Sequence, residues 1–175
     1  MTTSAGAKTA TQDQRALLRH LVATLAYRAA KVLRDVPSGF GEFSNGPATR
    51  RPLQIVAHLG DLMGWALRMA QGDPSWIPSG SHDWDTEVRR FFDGLTALDQ
   101  SLASAEPPED RMKMLIQGPL ADALTHVGQL AMLRGTAGSP VRPESYARAD
   151  IVAGRVGSDQ APPRREFEGD ASARR

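Results

Sequence analysis

The chain has 175 residues, 41% of them apolar, and 21 basic side chains stand against 20 acidic ones for a net charge of +1. That length suits one domain with a substantial hydrophobic core, and the balanced charge gives no electrostatic reason to expect nucleic acid or an anionic membrane as partner. With no cysteine, disulfides, thiolate metal ligands and a cysteine nucleophile are excluded; the lack of an apolar leader or a membrane-length apolar run makes a cytoplasmic protein the expectation.

The first predicted helix runs from about Thr11 to Asp35, with residues 1–11 expected to be a flexible N-terminus. Leu17, Leu18, Leu21, Leu25, Ala29, Val32 and Val36 recur at helical spacing, and Pro37-Ser38-Gly39 ends the pattern. Pro37 to Arg51, with Asn45-Gly46-Pro47, is a loop long enough to be a crossover. A second helix is predicted from Pro52, a first-turn proline, to Gln71, where Gly72-Asp73-Pro74 stops it. After a Pro/Gly/Ser-rich connection, Asp83 or Asp85 caps a third helix, about Asp83 to Ala103, with Phe91, Phe92, Leu95, Leu98 and Leu102 on one side. A fourth helical region spans about Glu109 to Thr136, and Gly118-Pro119 either kinks it or starts it anew. Residues 141–175 lack periodicity and are expected to form an extended tail that is ordered only where it docks, with a disordered end. No strand signal is convincing. Four helices of this length imply an all-α, four-helix bundle over residues 12–140.

Asp122 and His126, four apart on the fourth helix, place a carboxylate and an imidazole on one face, one turn from each other. Two such donors can grip one divalent cation. His58, on the second helix, borders that helix's apolar stripe. It is either a core-edge histidine bonded to a carbonyl or to Asp61, or a third ligand. The stripe of Asp122, Thr125, His126 and Gln129 either faces water or is buried and paired, and a buried Asp122 needs a cation or donors to stay ionised. Gln129, a turn beyond His126, either orients a water or a substrate carbonyl, as an outer partner of the site or a substrate contact, or is a helix-surface amide. His20 reads as a surface residue and His82 as a loop or cap residue. Trp65, Trp76 and Trp84 line a pocket or fill the core, and core packing is the simpler expectation. Arg134, Arg148 and Arg155 are surface arginines or contacts for an anionic substrate group. Tyr146 and Asp150 are expected on the tail's surface unless they close over the site.

The segments Pro52-Leu-Gln-Ile-Val-Ala-His58-Leu-Gly-Asp61-Leu-Met-Gly-Trp65 and Asp122-Ala-Leu-Thr-His126-Val-Gly-Gln129-Leu-Ala-Met-Leu-Arg134-Gly135 resemble the DinB-like superfamily of metal-binding four-helix bundles. The resemblance covers roughly residues 12–140, about three-quarters of the chain. In that family a histidine of the second helix joins a pair, four residues apart, on the last helix. Carried over, the metal ligands are His58, Asp122 and His126. The first of the pair is most often histidine; the mycothiol-dependent maleylpyruvate isomerases are similar to this chain in having a carboxylate there, as glutamate. Aspartate is one methylene shorter, so the ion is held by all three residues, by two histidines plus water, or the site is vestigial.

The resemblance implies one divalent ion (zinc, nickel or iron), a small-molecule substrate, and a hydrolase or a transferase or isomerase that uses a low-molecular-weight thiol. It also implies a homodimer. A non-catalytic small-ligand-binding bundle and a dimeric structural bundle are the alternatives, since one scaffold hosts unrelated chemistries.

Overall fold

A computed structural model describes residues 3–80, 82–105 and 107–167. Helix α1 spans Thr3–Leu33, so helical backbone begins eight residues ahead of Thr11, through a run of small residues rich in alanine, the strongest helix former. Met1 and Thr2 lie outside the described residues. Leu18, Val22, Leu25, Ala26, Ala29 and Val32 are buried, whereas Leu17 is 70% exposed. Neighbouring residues on a helix point about 100° apart, so only one of the Leu17–Leu18 pair meets the core.

Helix α2 (Pro52–Gln71) has the bounds that its sequence signals imply. Pro52 gives up no hydrogen bond in the first turn, and the Gln54 side chain reaches back to accept from the Arg51 N–H at 2.9 Å. Gly72, at φ 104°, supplies the left-handed residue that ends the helix. Helix α3 (Trp84–Ser104) starts on Asp83, whose carboxylate accepts from the Thr86 N–H at 3.0 Å. The fourth region divides as its Gly-Pro pair requires. Helix α4 (Glu109–Leu115) passes through a widened turn, Ile116–Leu120, into helix α5 (Ala121–Thr136). Gly118 leaves helical geometry there (φ −95°, ψ −105°) and Pro119 has no N–H to donate.

The four helical limbs form an all-α bundle, and the described residues include no strand, only an isolated antiparallel pairing of Glu144 with Glu166. Helix α2 packs on α3 and α5, and α1 closes the bundle against the same two helices. Leu25, Leu59, Leu62, Met63, Phe91, Leu95, Leu98 and Leu130 are fully buried at its centre, each contributing about 1.5–3 kcal/mol by leaving water. No helix among the described residues is long and apolar enough to cross a membrane.

Several buried charges sit in networks of ion pairs and hydrogen bonds. Arg90 of α3 donates to Asp61 at 2.7 Å, to the Ala57 carbonyl at 2.6 Å and to Glu87 at 2.8 Å. A Cβ on Gly60 would stand 2.6 Å from the Arg90 Cζ, so only glycine leaves room for the guanidinium. Asp61 therefore serves this network and also accepts from the Ser79 N–H at 3.0 Å. It is not the partner of His58.

Arg134 is not a surface residue, and its guanidinium is engaged away from the His58 face. It is 7% exposed and donates to the carbonyls of Val32 (2.9 Å), Arg34 (2.7 Å) and Asp35 (3.2 Å) at the end of α1. It also bonds Ser139 through the carbonyl at 3.0 Å and the hydroxyl at 2.8 Å. One guanidinium thus satisfies helix-end carbonyls that lack intrahelical donors. Arg155 is bonded to Asp150, and Arg148 is exposed.

The tail docks on α1. Glu144 is buried and accepts from the Tyr27 hydroxyl at 2.7 Å and from Lys31 at 2.8 Å. Tyr146 packs edge-on to Tyr27 with the Arg28 guanidinium 4.0 Å above its ring, so it does not close over the α2–α5 face. The expected disorder at the tail's end falls on residues 168–175, outside the described residues.

Candidate metal centre

His58 projects from the middle of α2, and Asp122 and His126 from the first two turns of α5. The break at Gly118-Pro119 restarts the last helix just ahead of Asp122, so α5 takes its own direction against α2. Asp122 then stands between the two imidazoles, 3.4 Å from the His58 Nε2 through Oδ2 and 3.4 Å from the His126 Nε2 through Oδ1. The imidazole rings are perpendicular, with centroids 4.8 Å apart. One donor atom from each residue lies within 4.8 Å of the other two. His58 and Asp122 are 64 positions apart in the chain.

Each side chain differs in exposure. His126 is 8% exposed, and the side chains of His58 and Asp122 are 22% and 47% exposed. The polar stripe of α5 is therefore split: His126 is inside, and Asp122, Thr125 and Gln129 are at the rim. Burial pushes the His58 imidazole below its ordinary pKa; the bond to Asp122 opposes this, and the neighbouring His126 and Arg50 reinforce it. At neutral pH His58 thus keeps a free lone pair.

Gln129 lines the cavity beside the group and bonds a ligand from behind. Its Oε1 lies 2.7 Å from the His126 Nδ1. An amide oxygen only accepts, so this contact favours the tautomer with the proton on Nδ1, in which Nε2, the atom facing Asp122, is the one open to an ion.

A nitrogen–oxygen separation of 3.4 Å is long for a hydrogen bond. Ligand bonds of about 2.0–2.2 Å need donor–donor edges of roughly 3.3–3.6 Å around a tetrahedral cation. The two 3.4 Å contacts run to different oxygens of Asp122, and one donor atom from each residue lies within 4.8 Å of the others, so the side chains would draw in to close on an ion. Two neutral imidazoles and one carboxylate are donors that zinc, nickel and iron(II) accept. The three residues could hold one divalent ion, and the shorter aspartate arm meets one histidine through each of its oxygens.

The group opens on a cavity of about 520 Å³. The loop before α2 lines it with Asn45, Thr49 and Arg50, and Ile55, Met132 and Leu133 supply apolar surface. On the other flank Trp76 stands 5.7 Å from the His58 ring and 5.7 Å from Trp65. Trp65 donates to the Pro74 carbonyl at 2.8 Å and Arg68 to the Ser75 carbonyl at 2.9 Å, which ties this loop to α2. Trp76 is thus a half-exposed neighbour of the site, while Trp84 packs on Phe40. His20 is exposed, and His82, in its loop, bonds the buried Glu87 at 2.7 Å. The loop residues Arg50, Asn45 and Thr49 carry no periodic or spacing signal by which the sequence could mark them.

No family model matches the chain, and neither a curated protein nor a solved structure does. Function has to be argued from the geometry of the site.

Proposed function

We propose that the chain is a DinB-like, metal-dependent enzyme that holds one divalent ion on His58, Asp122 and His126 and acts on a small molecule in the adjoining cavity. The observation that carries this is the convergence of two imidazoles and a carboxylate from α2 and α5, with one donor atom of each within 4.8 Å of the others, beside a cavity of about 520 Å³. When bound, the ion would supply Lewis acidity and lower the pKa of a water or a low-molecular-weight thiol, the chemistry of a hydrolase or of a thiol-dependent transferase or isomerase. The chain's own groups then have distinct parts. Gln129 fixes the His126 tautomer. Trp76 and its tethered loop keep bulk water off one flank of His58. Asp122, half exposed, faces the substrate side and supplies the negative charge that favours a cation over protonated histidine.

Elemental analysis of the purified protein tests the assignment. One zinc, nickel or iron per chain is expected, falling to none in His126→Ala with the helical content unchanged. A metal content that survives the substitution refutes the ligand set, and a metal-free native protein leaves the bundle as a binding module. Turnover of electrophiles with and without added thiol then separates transferase from hydrolase.

A further inference from the structure

The loop wall of the cavity carries an exposed cation with no carboxylate partner among the described residues. Arg50 and Arg51 are adjacent, yet they are used differently. Arg51 is paired with Glu42 at 2.6 Å, and its N–H is held by Gln54. No carboxylate among the described residues pairs with Arg50, which lines the cavity shared by His58, Asp122 and His126. The position of Arg50 is set by the backbone. Arg50 stands between a turn closed by Thr49, whose hydroxyl donates to the Gly46 carbonyl at 2.9 Å, and the rigid start of α2 at Pro52. With the Asn45 amide beside it, that rim offers further hydrogen-bonding capacity, and Ile55 and Met132 supply an apolar wall.

We infer that Arg50 is a specificity-determining residue that selects substrates with a carboxylate on a short apolar body, bound with the anionic end at Arg50 and the reacting end at the histidines. This rests on the metal-dependent reading in one respect: with the ion present, a single carboxylate, Asp122, stands against a divalent cation and an arginine, so the cavity carries excess positive charge. Arg50 itself acts without the metal. A guanidinium fork matches the two oxygens of a carboxylate, which a lysine does not.

Calorimetric titration with butyrate and with its neutral isostere butyramide, on both metal-free and zinc-loaded protein, tests this. Butyrate is expected to bind more tightly than butyramide in both forms. Arg50→Gln should weaken butyrate about tenfold, leave butyramide unchanged and leave zinc affinity within about twofold. Arg50→Lys should fall between the two. Equal butyrate affinity in wild type and Arg50→Gln overturns the assignment, as does an absence of preference for butyrate over butyramide. Failure of zinc to bind removes the metal reading alone, because Arg50-dependent butyrate binding to the metal-free protein still decides the role of Arg50.

Discussion

Gln129→Leu removes the acceptor that holds the His126 Nδ1 proton, 2.7 Å away, and leaves all three ligands in place. Gln129 lies at the exposed rim, so the metal-free fold should be nearly indifferent to the change. The effect on the ion should be large for a residue that does not touch it. Without the acceptor, His126 is free to protonate Nε2 instead and to turn its ring. Loss of such an outer partner costs about 10–100-fold in metal affinity, or about 1.4–2.7 kcal/mol. Linkage turns this into a thermal shift. Zinc at about 100 times its wild-type dissociation constant stabilises the fold by about 2.7 kcal/mol, a Tm rise of about 5–10 °C for a chain of this size. A 100-fold weaker site under the same zinc concentration gains only about 0.4 kcal/mol, roughly 1 °C. Chelator competition gives the dissociation constants directly, and differential scanning fluorimetry gives the shifts. Gln129→Glu keeps an acceptor and should bind zinc at least as well as the wild type. A Gln129→Leu protein with wild-type zinc affinity, when His126→Ala has lost it, would falsify the orienting role of Gln129.

Two further outcomes concern the scaffold. Arg134→Met deletes the donor that satisfies three carbonyls at the end of α1, so urea unfolding should show a loss of about 2–4 kcal/mol at unchanged m-value; a loss below about 0.5 kcal/mol would mean that water replaces the guanidinium there. Burial pushes the Glu87 carboxyl up, but its bonds from His82 and Arg90 outweigh this and hold it below the ordinary value of 4.5. A folded pKa below the unfolded one contributes stability that is fully present above about pH 4.5 and vanishes as pH falls through the lower folded value. Glu87→Gln should therefore be less stable at neutral pH and show a shallower fall of Tm with acid below pH 4.5; acid limbs of equal slope in the two proteins would contradict the pairing.

Signals confined to a turn or two of chain were legible. Pro52 and Gly72 bracket α2, Asp83 caps α3, and Gly118-Pro119 divides the last limb, because each acts on backbone hydrogen bonds within about four residues of itself. The four-residue spacing of Asp122 and His126 is likewise local, since the helix alone stacks them. Leu17 and Arg134 show where such signals stop. Leu17 belongs to an apolar helical pattern yet faces out, and Arg134 has the look of a surface residue yet is buried against the end of α1. Which part of a helix meets a neighbour depends on that neighbour, and periodicity does not name it.

By itself, then, the amino-acid order determined where helices start, break and stop, that they are amphipathic, and that one of them offers a carboxylate and an imidazole on the same side. Only the tertiary structure decided that His58 meets that pair across 64 positions, that Gln129 serves His126, that Asp61 belongs to Arg90, and that Arg50 and Trp76 flank the site. The physical reason is range: helix hydrogen bonds and caps are satisfied among close neighbours in the chain, whereas a three-residue site exists only once core packing has fixed the separation and rotation of α2 against α5.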